Sequence, residues 1–133
     1  MLGELISEGQ GKRTVRRVLE TAPQLKIEAS FEEQIKILGV DAMQIGTYVA
    51  HPKPDNTFDA LGQGVVATVA GEIVTWQGVG AGKLGAGGAV SYRGAITFTT
   101  SAAKFTSLNS IAGVFEFEVA ADGTTRSKTW AWK

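Results

Sequence analysis

The chain contains no cysteine, which removes disulfides, zinc–thiolate sites and thiol nucleophiles together and gives no sign of an oxidising compartment. It has one histidine, His51, so a histidine-rich metal centre or a Ser-His-Asp triad would have to be built around a single residue in the segment AHPKP. The plainer reading is a solvated turn histidine, with Asp55 and Asp59 capping the turn. Net charge is missing too, because 13 Lys and Arg cancel 13 Asp and Glu. Such a molecule has no overall field with which to gather nucleic acid or an anionic membrane. No run approaches the ~18 apolar residues of a membrane-spanning helix, and the opening MLGELISEGQGK carries Glu4 and Glu8 where a signal peptide would be apolar. The expectation is a cytoplasmic protein without metal or cofactor and without a nucleic-acid or membrane partner.

What the chain has in excess is glycine, with 17 copies in 133 residues, about twice the usual share. Most fall between positions 39 and 94, among short runs rich in β-branched and aromatic residues, where strands and tight turns require them. The length suits one domain with one core.

Residues 2–20 show no helical spacing, and Thr21–Gln24 interrupt them with a turn. Opposing Glu20 to Leu25 pairs Val18 with Ile27, Arg17 with Glu28, Arg13 with Glu32 and Lys12 with Glu33, and three of these pairs are opposite in charge. That register gathers Thr14, Arg16, Val18, Leu25, Ile27, Ala29 and Phe31 on the core face and Arg13, Arg17, Lys26, Glu28 and Glu32 on the other. A third strand is expected over 35–50 with a bulge at Gly39, followed by a turn at 52–56. Hairpins then follow in series: 58–69 with 72–83 through Ala70-Gly71, then 89–100 after the glycine cluster at 85–88. The segment 101–109 breaks this pattern, because Ala102, Phe105 and Leu108 recur every third residue and suit one short amphipathic helix. Strands at 114–120 and 124–132 close the series through a two-residue turn at Asp122-Gly123. The fold class is therefore all-β, a closed antiparallel barrel of about eight strands, since closure removes exposed edges.

The motifs are weak. GAGKLG at 80–85 fits the dinucleotide pattern G-x-G-x-x-G, but strands flank it where a helix is needed, and it fails as a P-loop at Gln77 and Leu84. Glu116 and Glu118 alternate with Phe115, Phe117 and Val119, which puts both carboxylates on one face, read as solvated. Trp76, Tyr92, Phe98, Phe115, Trp130 and Trp132 are read as core. Trp76 shares its face with Gly78 and Gly80, so a large ring stands beside positions without side chains, where a ligand or a neighbouring ring can lie.

The segments GEIVTWQGVGAGKL, GAVSYRGAITFTT and GVFEFEVAADGTTRSKTWAWK resemble a family of small, functionally uncharacterised bacterial proteins. That family is similar in architecture to the plant allene oxide cyclase barrel. The resemblance implies an antiparallel eight-stranded barrel able to hold an apolar ligand; none of that enzyme's catalytic residues is matched here, so no cyclase activity is carried over. Three function classes follow. The leading one is a barrel that binds a small, mostly apolar or amphipathic molecule in its lumen, with Arg16, Trp76, Tyr92, Arg93 and Glu116 as candidate ligand-binding residues. Arg16 is its polar anchor, Glu33 and Glu116 are that arginine's candidate partners, and Arg93 is the alternative should its strand face the other way. The second is a cyclase or isomerase working in the same interior. The third is a packed barrel without a ligand, acting through its surface or as a homo-oligomer.

Overall fold

The computed structural model describes residues 2–133. Eight strands, β1 (Leu2–Glu20), β2 (Lys26–Ile37), β3 (Val40–Pro52), β4 (Thr57–Thr68), β5 (Ile73–Leu84), β6 (Val90–Thr100), β7 (Ala112–Val119) and β8 (Thr124–Trp132), follow one another around a closed antiparallel barrel. Each pairs with its neighbour in sequence, and β8 returns to β1, with Leu2 opposite Trp132 and Lys12 opposite Thr124.

Alternation decides what faces inward. On β2 the buried residues are Ala29, Phe31, Glu33, Ile35 and Ile37, with Glu28, Glu32 and Lys36 outside. Near the turn β1 obeys the expected register, with Val18 opposite Ile27 and Arg17 opposite Glu28. Two irregularities then shift it. One at Leu19 sets Glu20 opposite Lys26 rather than Leu25, and one at Thr14 sets Arg13 opposite Phe31 and Lys12 opposite Glu32. Each extra residue reverses the facing of those beyond it, so Arg13 joins the inward register and the expected Arg13–Glu32 and Lys12–Glu33 pairs do not form.

The turns carry a second correction. Gly39 is no bulge: Leu38 and Gly39 are the two turn residues between β2 and β3, with φ of 46° and 80°, as a two-residue hairpin of the twisted type requires. The Asp122-Gly123 turn has one residue more than expected. Gly123 N–H donates to Ala120 O at 2.9 Å and Ala120 N–H to Thr124 O at 2.8 Å, with Gly123 at φ 90°. This loop is a tight turn followed by a left-handed glycine, and Thr68–Glu72 repeats it around Gly71.

The two ends of the barrel differ. Between β6 and β7 the chain forms a 3₁₀ helix, Ala103–Ser110, whose three-residue period matches the spacing of Ala102, Phe105 and Leu108. Phe105 and Leu108 are fully buried against Ile6, Ile37, Val66, Val74 and Phe98, and Asn109 clamps the helix by bonding both the N–H and the C=O of Thr100. This end is closed. The opposite end, where the β1–β2 hairpin projects, has no such plug, and residues 14–25 there are exposed.

Candidate functional site

The lumen is built from rings set against glycines. A Cβ at Gly46 or Gly64 would overlap the Trp76 indole, and one at Gly82 would overlap the Tyr92 ring. A Cβ at Gly94 would likewise overlap Phe115, and one at Gly80 would press on it at 3.1 Å. Glycine on β3 to β6 thus makes room for aromatic side chains that an eight-stranded interior could not otherwise hold. Toward the open end Phe31 and Phe117 approach to 4.7 Å between centroids. Tyr48 stands edge-on to Phe117 at 5.8 Å and 79° and lies 5.5 Å from Tyr92. Packing is incomplete. A cavity of about 80 Å³ remains among Tyr48, Gly62, Trp76, Gly78, Tyr92 and Phe117, reaching Ser7, Ser127 and Thr129 on the β1–β8 wall.

Against the inner side of that wall lies a buried carboxyl. Glu33 is 1% exposed and accepts hydrogen bonds from Gln44 Nε2 (2.8 Å), Thr125 Oγ1 (2.7 Å) and Ser127 Oγ (2.6 Å). Gln44 Oε1 in turn accepts from Trp76 Nε1 at 3.0 Å. No cation pairs with Glu33 among the described residues. Its reach depends on Gly9 and Gly11 of the intervening β1, where a Cβ would strike Ile35 and the Glu32–Glu33 backbone.

The open end is cationic. Arg16 pairs in register with buried Ala29 and Arg13 with Phe31, both inward positions at the mouth, and neither forms an ion pair among the described residues. Both act on Tyr48: burial pushes its hydroxyl up from 10.0, while the nearby Arg13 and Arg16 guanidiniums pull it back. Burial, with the neighbouring Tyr48, also pushes Tyr92 up.

The residues singled out from the sequence therefore separate. Trp76 and Tyr92 line the cavity, whereas Arg16 is not among its lining residues: it is exposed and stands near Tyr48. Arg93 and Glu116 lie outside, because Tyr92 takes the inward position on β6 and Phe115 and Phe117 take those on β7; Arg93 pairs there with Glu116 at 3.8 Å and Glu118 at 3.1 Å. Glu33 faces inward, yet its partners are Gln44, Thr125 and Ser127, not Arg16. Trp130 and Trp132 are not core residues either: they line the outer seam opposite Leu5 and Leu2, with Trp132 65% exposed, since the inward positions of β8 belong to Thr125, Ser127 and Thr129. Gln44, Tyr48 and Arg13 were not anticipated as lumen or mouth groups. His51 is the penultimate residue of β3, opposite Asp59 on the outer face, and among the described residues no cluster of His, Asp or Glu could hold a metal.

No family model and no curated protein matches the chain. Solved structures do. A conserved protein of unknown function from Rhodopseudomonas palustris superposes with a TM-score of 0.81 at 13% identity, covering 99% of both chains. A protein of unknown function from Clostridium acetobutylicum gives 0.83 at 9% identity over 100% of both. An enzyme from Penicillium herquei gives 0.69 at 16% identity, covering 96% of this chain and 92% of that one. Identities this low speak for the shared barrel fold alone, which extends from proteins of unknown function to an enzyme.

Proposed function

We propose that the chain is a small-ligand-binding barrel whose occupant enters at the Arg13–Arg16 end, apolar part first. The observation that carries this reading is the unfilled space between Trp76, Tyr92 and Phe117, bordered by Tyr48, beside which stand two guanidiniums that form no ion pair among the described residues. Ligand pockets for drug-sized molecules measure roughly 300–1,000 Å³, so a cavity of about 80 Å³ takes a small ring or the tip of a longer molecule. An anionic group on the outer end would complete Arg16 and Arg13. An allene oxide cyclase-like ancestry agrees with the closed barrel and with the three sequence segments, and a cyclase or isomerase would use this same lumen, with Glu33 and the tyrosine pair as its proton-bearing groups.

Benzoate is a suitable probe, titrated against the protein and followed by amide chemical shifts. Saturable shifts at Trp76, Tyr92 and Gly78 are expected. The control is Gly78→Val, because a Cβ at Gly78 meets nothing closer than 3.4 Å: it should keep the fold, fill the cavity and abolish binding. Unchanged binding in that variant would remove the lumen as the site. Native mass spectrometry of protein from its own host would show a co-purifying molecule.

A second reading rests on the outer wall. Met43, Ile45, Thr47 and Val49 on β3, Leu61, Gln63, Val65 and Ala67 on β4, Thr75, Gln77 and Val79 on β5 and Ala95 and Thr97 on β6 form one uncharged face, with Ile45 51%, Leu61 60% and Val79 54% exposed. A second copy of the chain is the occupant such a face suits, because two uncharged faces meet without burying a charge. Sedimentation at micromolar concentration tests it: an oligomer that Leu61→Glu dissolves supports the reading, and a monomeric wild-type protein ends it.

A further inference from the structure

The hydrogen-bond network behind the lumen has a direction, and that direction selects the inner end of the ligand. An indole N–H can only donate, so Trp76 Nε1, at 3.0 Å, fixes the atom of Gln44 facing it as the amide oxygen. The Gln44 amide nitrogen therefore points at Glu33, and Glu33 Oε1 receives its N–H at 2.8 Å. Ser127 Oγ meets that same Oε1 at 2.6 Å. With one lone pair of Oε1 already engaged by an N–H, the Ser127 hydroxyl donates to the other. A proton on the carboxyl would sit on Oε2, toward Thr125 Oγ1 at 2.7 Å, and would leave this arrangement unchanged.

Ser127 also borders the cavity. Its single hydrogen being spent on Glu33, it presents only oxygen lone pairs to the lumen. Ser7 and Thr129, on the same wall, are free to turn their hydroxyls as donors or acceptors and so discriminate nothing. Apart from the Gln44 amide and the hydroxyls of Tyr48 and Tyr92, the rest of the lining is apolar, and an unanswered polar group there is costly.

We infer that the inner end of the lumen offers a fixed hydrogen-bond acceptor: the ligand is an apolar ring or chain tip bearing a hydroxyl or N–H, which Ser127 accepts. The inference rests on the ligand-binding reading above and adds the polarity of the buried end. Trp76 and Gln44 act in it as positioning residues, since they set the direction of a bond they do not make to the ligand.

Phenol, anisole and toluene are the probes, one donor-bearing, one acceptor-only and one without a polar atom. Each is titrated against the wild-type protein and Ser127→Ala, with amide chemical shifts reporting both affinity and retention of the fold. Phenol should bind about tenfold more tightly than toluene, the ratio that one neutral hydrogen bond supports. Anisole, from which Ser127 has nothing to accept, should bind less tightly than phenol. Ser127→Ala should reduce phenol several-fold while toluene changes by less than about twofold, and Ser127→Thr should restore the preference. Equal binding of the three probes to the wild-type protein, or equal loss of all three in Ser127→Ala, overturns the donor assignment and leaves the lumen as a binding site. Failure of every probe to bind the wild-type protein overturns the ligand-binding reading itself. The wild-type comparison needs no variant, so it decides even if Ser127→Ala does not fold.

Discussion

The same eight strands make two unlike ends. At one, a 3₁₀ helix drives Phe105 and Leu108 into the barrel and Asn109 ties it to the end of β6; at the other, Arg13 and Arg16 stand beside Tyr48, which packs with Tyr92. The helical end is filled by residues that do nothing but pack. The opposite end holds cations and hydroxyls that packing alone would not select, beside space left empty. Stability and access are thus assigned to different ends of one tube, and the assignment can be tested by damaging each end in turn.

The largest effect is expected at the plug. Phe105→Ala removes a fully buried ring and should cost about 3–5 kcal/mol in urea unfolding; a loss below about 1 kcal/mol would make the helix a detachable cover. Glu33→Ala comes next. It strips the acceptor from three donors, and a loss of about 1–3 kcal/mol is expected from the polar groups left unpaired. A variant as stable as the wild type would show that Gln44, Thr125 and Ser127 re-pair among themselves. At the mouth, Arg16→Met should stay within about 0.5 kcal/mol of wild-type stability while weakening benzoate several-fold; a strong destabilisation would make Arg16 a structural residue and blur the contrast between the ends. Smallest at neutral pH is the effect of the tyrosines. The chain has two, Tyr48 and Tyr92, both raised by burial, so the folded protein keeps its phenolic protons above pH 10 where the unfolded chain loses them. Their contribution to stability is complete below pH 10 and declines as pH rises further. Absorbance at 295 nm should stay flat through pH 10 and rise only at higher pH; a normal tyrosinate transition at 10 would mean that bulk water reaches both phenol rings.

Much of this was legible before any coordinates. The hairpin series and the face shared by Trp76, Gly78 and Gly80 follow from turn residues and two-residue alternation, and the short helix at 101–109 from three-residue spacing, all of them local properties. Trp76 beside Gly78 and Gly80 marked the lumen for the same reason. What escaped was non-local. Nothing around Thr14 announces the extra residue that turns Arg13 inward, because the charge pairs it disrupts looked favourable in the unbroken register. Trp130 and Trp132 are large and apolar, yet they alternate with Thr129 and Ala131, and the hydroxyl side of β8 wins the interior because Glu33, nearly a hundred positions earlier, needs donors there. The carboxyl itself had a local signal: Glu32 and Glu33 are adjacent on a strand, so one of them must face in. Its partners had none, since Gln44 reads as an ordinary polar residue until its register with Glu33 is known.

That carboxyl also bears on how the ring closes in time. Every strand pairing except β8 with β1 joins consecutive strands, so hairpins can form one after another with short loops. The last seam must bring together chain segments more than a hundred residues apart, such as Leu5 and Trp130, and the entropy of closing so long a loop delays it. Glu33 bonds Thr125 and Ser127 across 92 and 94 positions, spanning β1 from β2 to β8 and fastening the seam from inside. A bond made only once the ring is complete acts mainly on its opening. Without the Glu33 carboxyl the hairpins should assemble at nearly their usual rate, and the finished barrel should come apart sooner.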